Sequence, residues 1–249
     1  MALTKKPVYF LRMIAPGVVN CAFFTVPPVI QYLIYHRVVP ISYKKHAGAT
    51  FNLRNYTVGH EQTVNLTIAE ALLTTLSTPP YFSSVSIVKD AGTFEYTSPE
   101  WMLSNSTQEI ISEAHGIFGR DERVACILNL GSGRPGVFSS PEGTQLSEWN
   151  RFLEDLATNG ERTAESLESQ FGNLGLYHRF SVTSGLERST VLGPGEILTH
   201  TSAYLAEVSI SRRVDTCMEA LKVRDGVISL EQLSMFSTHS WDRDILTHT

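Results

Sequence analysis

The stretch Arg123-Val124-Ala125-Cys126-Ile127-Leu128-Asn129-Leu130-Gly131 decides the reading of this chain. From Val124 to Leu130 it is an almost continuous apolar run, with charge before it and glycine after. A strand with one face in water alternates apolar and polar residues. A run without that alternation belongs to a strand covered on both faces, which is the habit of sheets flanked by helices. The run therefore predicts an α/β fold.

Working outward, the neighbouring segments carry the period of helices. Upstream, Ser106 and Glu109 have the spacing of a capping box, followed by Ile110, Ile111, Ala114 and Phe118 along one helical face. Further upstream, Thr67 and Glu70 form a second box, and Ile68, Ala71, Leu72 and Leu76 define an apolar face that ends at Pro79-Pro80. Tyr81 to Ile87 is aromatic and β-branched, as a short strand would be. Val18 to Val26 reads as the first strand, stopped by Pro27-Pro28, with a looser segment through Tyr56. Downstream, Leu146, Trp149, Leu153 and Leu156 outline a helix closed by Asn159-Gly160. Ala164, Leu167 and Phe171 outline another. Tyr177 to Val182 alternates as a strand, and Val214, Cys217, Met218 and Leu221 form the last helical stripe. No internal repeat occurs. The pattern predicts one α/β domain over 1–234 and a polar tail over 235–249.

Composition narrows the function classes. The chain has 249 residues, 42% hydrophobic and 18% charged, enough to bury a core without staples. Net charge is −5 with Lys and Arg dispersed, so no basic face recommends nucleic acid. The three cysteines, Cys21, Cys126 and Cys217, are odd in number and far apart. Cys126 and Cys217 lie in apolar settings and read as small core residues, which suits a reducing compartment and predicts a cytoplasmic protein. Met13 to Tyr35 contains no charge and follows Lys5, Lys6 and Arg12, so a membrane anchor is the alternative to a buried strand there. Pro16, Asn20, Gln31 and Pro27-Pro28 favour the strand. Arg12 also interrupts any signal-peptide run. The sequons at Asn55, Asn65 and Asn105 read as chance in a chain rich in Ser and Thr.

Motifs that carry chemistry are imitated but not completed. Gly131, Gly133 and Gly136 spell G-x-G-x-x-G after a strand, yet Pro135 and Pro141 oppose the helix start that a dinucleotide pyrophosphate requires. No Lys-Ser or Lys-Thr follows, which excludes a Walker loop. A serine nucleophile elbow needs G-x-S-x-G, and the chain has none; Ser132 between Gly131 and Gly133 is the nearest imitation. His178 and His200 lie near element ends without a helical His-x-x-x-His partner, and the cysteines are not at zinc spacing. The sequence therefore assigns no catalytic, cofactor-binding or metal-binding residue.

Several segments nonetheless follow a known family in order. Thr67 to Phe82, Phe51 to Tyr56, the turn at Asn105 and the strand and loop Cys126 to Pro135 each have a counterpart. The closest are Leu174 to Val182, Gly185-Leu186-Glu187, Gly195-Glu196-Ile197 and Thr199-His200-Thr201 with Ala203-Tyr204-Leu205. Over residues 17–222 the chain resembles the C-terminal half of a fungal patatin-like lipid acyl hydrolase domain. The resemblance implies a three-layer α/β/α fold with a mixed sheet, whose N-terminal part would be missing here, and acyl-ester hydrolysis in lipid metabolism.

The family engine is a Ser–Asp dyad, with the serine in G-x-S-x-G, the aspartate in D-G-[GA], and a glycine-rich loop supplying oxyanion donors. None of the three transfers. By this resemblance the chain begins after the loop and the elbow, and Tyr96-Thr97-Ser98-Pro99-Glu100 places Ser98 where the aspartate belongs. A serine hydroxyl cannot act as the carboxylate base at neutral pH. Asp90, in Asp90-Ala91-Gly92, lies too far from the Asn105 turn and reads as a turn residue. The expectation is a catalytically inactive patatin-like domain, from a fragment or an incomplete gene model. Its alternatives are a hydrolase with an unrecognised constellation, or a non-catalytic lipid- or protein-interaction module such as part of a longer immune-receptor-like protein. Lipid or acyl ester, with a membrane surface, is the implied partner, and no cofactor is implied.

Overall fold

The computed structural model describes residues 8–15, 18–25, 35–56, 66–79, 81–89, 92–133, 139–185, 193–223 and 226–235. Among them nine strands form one mixed sheet: β1 Val8–Ala15, β2 Val18–Thr25, β3 Tyr35–Tyr43, β4 His46–Arg54, β5 Val85–Lys89, β6 Gly92–Thr97, β7 Arg123–Gly131, β8 Tyr177–Phe180 and β9 Ile228–Ser229. Six helices accompany them: α1 Ile68–Leu76, α2 Thr107–Phe118, α3 Leu146–Ala157, α4 Glu161–Phe171, α5 Pro194–Ala206 and α6 Val208–Val223. The strand order is β5-β6-β3-β1-β2-β7-β8, with β4 on β3 and β9 on β7.

The decisive run becomes β7. It pairs antiparallel with β2 and parallel with β8, and Val124, Ala125, Cys126 and Ile127 are buried in succession. Successive side chains of a strand point to opposite faces, so both faces are covered. On one face Ile127 joins Ile110, Ile111 and Ala114 of α2, Leu167 and Phe171 of α4, and Tyr177. Fully burying each of the isoleucine, leucine and phenylalanine side chains contributes about 1.5–3 kcal/mol. On the other face β8 continues into Val182, which packs with Tyr204 of α5 and Ile210 of α6. The helices predicted at Ile110 and Ala164 thus bury the residues expected of them.

A second core holds Ile41, Leu53, Ile87 and Tyr96, from β3, β4, β5 and β6, beside Ala71 of α1. Tyr43 stacks on Tyr96 with ring centroids 5.1 Å apart. Part of this lobe lies where the sequence suggests only a looser segment. There β3 and β4 form a hairpin across Lys44 and Lys45. Pro40 lies inside β3, although proline lacks a ladder donor. It falls after the stretch of β3 paired with β1, which ends at Val38, and before the stretch paired with β6, which starts at Ser42. Pro40 is in register with Asn52 of β4, and on the opposite edge of β3 no strand faces it among the described residues.

Three further expectations change. The Thr67–Glu70 capping box forms, with the Glu70 N–H donating to Thr67 Oγ1 at 3.2 Å and the Thr67 N–H donating to Glu70 Oε2 at 2.7 Å. Of the expected face only Ala71 packs on the core: Ile68, Leu72 and Leu76 are exposed while Thr74 and Thr75 are buried. The threonine hydroxyls donate to the Ala71 and Leu72 carbonyls, each at 2.7 Å, so they enter the core already satisfied. At α2 the expected Ser106–Glu109 box is absent. Instead Asn105 Oδ1 accepts from the Thr107 N–H at 3.1 Å. The stripe Leu146, Trp149, Leu153 and Leu156 does lie on α3, but no residue of that helix is buried.

The uncharged stretch 13–35 contributes the end of β1, all of β2 and the start of β3. No helix among the described residues is long and apolar enough to cross a membrane. The tail over 235–249 lies outside the described residues beyond Met235.

Candidate functional site

Ser98 follows β6 directly, at the end where α1 docks on the sheet. The Ser98 N–H donates to the Ser77 carbonyl at 3.0 Å, and Thr97 Oγ1 donates to the same carbonyl at 2.8 Å. That shared acceptor, just past the end of α1, fixes the backbone of residue 98. The Ser98 side chain is buried, and its Oγ accepts from the Glu100 N–H at 3.2 Å. This is the short-range hydroxyl-to-backbone bond that serines make in turns.

Beside it opens a cavity of about 400 Å³ lined by Lys44, Pro79, Phe82, Ser83, Ser84, Thr97, Ser98, Pro99, Trp101 and Met102. The walls offer two aromatic rings, a thioether and two prolines. Their polar groups are hydroxyls and one ammonium. No carboxylate or imidazole lines the cavity among the described residues. A serine nucleophile needs a base within hydrogen-bond reach, and the one basic side chain among the described lining residues is Lys44. Glu95 is engaged by Lys44 at 3.4 Å, and Asp90 lies outside the described residues. Phe82 and Met102 at the cavity, with Tyr81 next in the chain, present apolar surface to solvent.

The other glycine and histidine motifs take structural places. Gly131 closes β7, where an added Cβ would lie 2.7 Å from Ser181 Oγ and 2.9 Å from Arg179 Nη2. Gly133 has φ +130°, and Gly136 lies outside the described residues. The next helix among the described residues is α3 at Leu146, so no helix N-terminus meets the glycines as a dinucleotide would need. His200 packs against Gly185, whose φ of +85° and contact with the imidazole both exclude a side chain.

Beneath Gly131 runs a buried polar network. Asn129 Nδ2 donates to Thr107 Oγ1 at 2.7 Å, to Tyr177 Oη at 3.0 Å and to Asn105 Oδ1 at 3.2 Å. Arg179 Nη1 donates to Asn129 Oδ1 at 2.6 Å and its Nη2 pairs with Glu161. Burial pushes the Tyr177 phenol up to about 12, so it stays a neutral partner. These bonds tie the starts of α2 and α4 to β7 and β8, and they bury the Asn105 sequon. Ser181 Oγ and Arg179 Nε are buried without a hydrogen-bond partner among the described residues, next to a cavity of about 190 Å³.

The fold also makes one grouping that residue spacing hides. Cys126 of β7, His178 of β8 and Cys217 of α6 are all buried, with their donor atoms within 4.8 Å of one another. The strand register accounts for half of it. Leu128 pairs with His178, so Cys126, two residues before Leu128, shares that face of the sheet. The sequence gives no signal for the third member, because only packing of α6 across the sheet brings Cys217 there. Compared with known proteins, the chain matches no family model, no curated protein and no solved structure.

Proposed function

We propose that this chain is a patatin-like α/β/α domain that holds an acyl chain without hydrolysing it. The observation that supports the reading is the cavity beside Ser98: apolar walls, hydroxyls and the Lys44 ammonium, with no carboxylate or imidazole among its described lining residues. Apolar pockets with a few placed polar groups are the ordinary form of a small-ligand site. A hydroxyl where the family keeps a carboxylate removes the base on which the dyad depends. The mixed sheet, with helices against both faces of β7 and β8, is compatible with the family's architecture. A cytoplasmic setting belongs to the same reading, on the odd number and wide sequence spacing of Cys21, Cys126 and Cys217.

An NBD-labelled fatty acid, competed by oleate, tests the binding. The expected result is saturable binding that Phe82→Asp or Met102→Asp weakens at least about tenfold, equivalent to 1.4 kcal/mol. The same protein should give no turnover of p-nitrophenyl esters and no labelling by a fluorophosphonate. Turnover abolished by a single serine substitution would replace this reading with an active hydrolase.

A second reading, contact with a membrane surface, is favoured by the exposed Tyr81, Phe82 and Met102 together with Ile68, Leu72 and Leu76 of α1. Apolar surface of this kind is a common mark of an interaction site. It predicts co-sedimentation with phosphatidylcholine vesicles, reduced by Leu72→Glu. Equal sedimentation of the two proteins would remove it.

A further inference from the structure

We infer that Cys126, His178 and Cys217 form a binding site for a zinc-class divalent cation, clamping α6 onto the sheet. Two thiols and an imidazole are a soft donor set, of the kind that selects Zn²⁺ over Mg²⁺ or Ca²⁺. With Zn–S near 2.3 Å and Zn–N near 2.0–2.1 Å, tetrahedral donors stand about 3.6–3.8 Å apart. The three donor atoms here lie within 4.8 Å of one another, so side-chain adjustments of about 1 Å close the site. Two thiolates also balance the dication, which matters where Cys126 and Cys217 are 0% and 4% exposed.

The surroundings are those a ligating histidine needs. His178 Nε2 stands 3.0 Å from the Gly175 carbonyl oxygen. A carbonyl only accepts, so Nε2 carries the hydrogen and Nδ1 keeps the lone pair for a metal. This carbonyl contact orients the ring as the outer partners of metal-bound histidines do. Gly175 holds its place in the left-handed region at φ +63°. The helix is independently positioned, because Arg213 Nη2 donates to the Arg179 carbonyl at 2.8 Å and its guanidinium lies over the Phe180 ring. Cys217, one helical turn further on, is therefore presented to Cys126 and His178 rather than left to find them. A water, or a fourth side chain, completes four-coordination.

The test uses the full chain, reduced with a phosphine and titrated with Co²⁺ and then Zn²⁺. The expected result is saturation at one equivalent, with a thiolate-to-cobalt charge-transfer band and the strong visible bands of four-coordinate cobalt, both erased by Zn²⁺. Zn²⁺ should also raise the Tm, since a ligand of the folded state stabilises it by mass action. Cys217→Ser and His178→Gln, each confirmed folded by circular dichroism, should weaken binding at least tenfold. The proposal fails if the reduced wild-type protein shows no charge-transfer band. It fails equally if a folded Cys217→Ser protein binds cobalt as the wild type does.

Discussion

Glu113 shows how a charged residue can belong to a core. It lies between Ile110 and Ala114 on the buried side of α2, and it accepts hydrogen bonds from Arg54, from Asn52 Nδ2 at 3.1 Å and from Tyr56 Oη at 2.6 Å. Burial alone would raise its pKa, but Arg54, Tyr56 and Asn52 outweigh that and hold it below its ordinary 4.5. The carboxylate therefore contributes stability above about pH 4.5, and loses it as pH falls through the lower folded value. Glu113→Gln leaves Arg54 buried beside a neutral amide, and breaking a buried pair costs about 3–5 kcal/mol. The variant should melt lower at pH 7, and its stability should fall less steeply below pH 4.5 in urea titrations. A wild-type acid slope in Glu113→Gln would show that the pair is not the source. At Gly131 the constraint is space rather than charge. Gly131→Ala must displace Ser181 and Arg179, and overpacking of this kind costs about 1–3 kcal/mol. Its urea midpoint should drop with the slope unchanged. The Glu113 partners were partly legible in the sequence, because Asn52 and Arg54 alternate on one side of β4 and Tyr56 follows two residues past its end. Reading that segment as loose hid the alternation.

Helix α1 separates what pattern can tell from what packing decides. The Thr67–Glu70 box is a local bond between residues three apart, and it forms as read. Which face turns inward depends on partners that are remote in sequence, and here the hydroxyl of Thr97 and the N–H of Ser98 dock at the Ser77 carbonyl. That docking buries Thr74 and Thr75, and leaves Ile68, Leu72 and Leu76 outside. For the same reason α2 and α4 matched their apolar stripes while α3 did not: α2 has β1 and β2 to meet, and α4 has β8. The orientation of α1 can be checked by charge insertion. Leu72→Lys and Leu76→Lys should change stability by no more than about 0.5 kcal/mol, as surface substitutions do. Thr74→Lys places an unpaired ammonium in the core and should cost several times more, or prevent folding. Chemical denaturation of the three variants distinguishes the two orientations. The opposite ranking would restore the apolar face to the interior.

At the scale of the molecule, β7 is the axis of the fold, and its amides should report that. It bonds to β2 along Arg123–Gly131 on one edge, and to β8 and then β9 on the other. Residues of α2 and α4 cover one face, and Cys217 of α6 meets Cys126 on the other. Opening a β7 hydrogen bond therefore requires separating at least two strands and lifting a helix, which approaches global unfolding. By contrast, among the described residues β5 pairs only with β6, and Val88 on it is exposed. Amides exchange through the least costly opening that frees them, so local stability spans from near zero to the global value. Native-state hydrogen exchange should find the slowest amides between Val124 and Asn129, with exchange free energies equal to the unfolding free energy from denaturant titration. Amides of β5 should exchange faster, with little denaturant dependence. The run that decides the reading of the sequence would then also be the last part of the sheet to open. If the β5–β6 hairpin exchanges as slowly as β7, the cluster around Tyr96 and the cluster around Ile127 unfold as one unit, and β7 has no special place in the stability of the sheet.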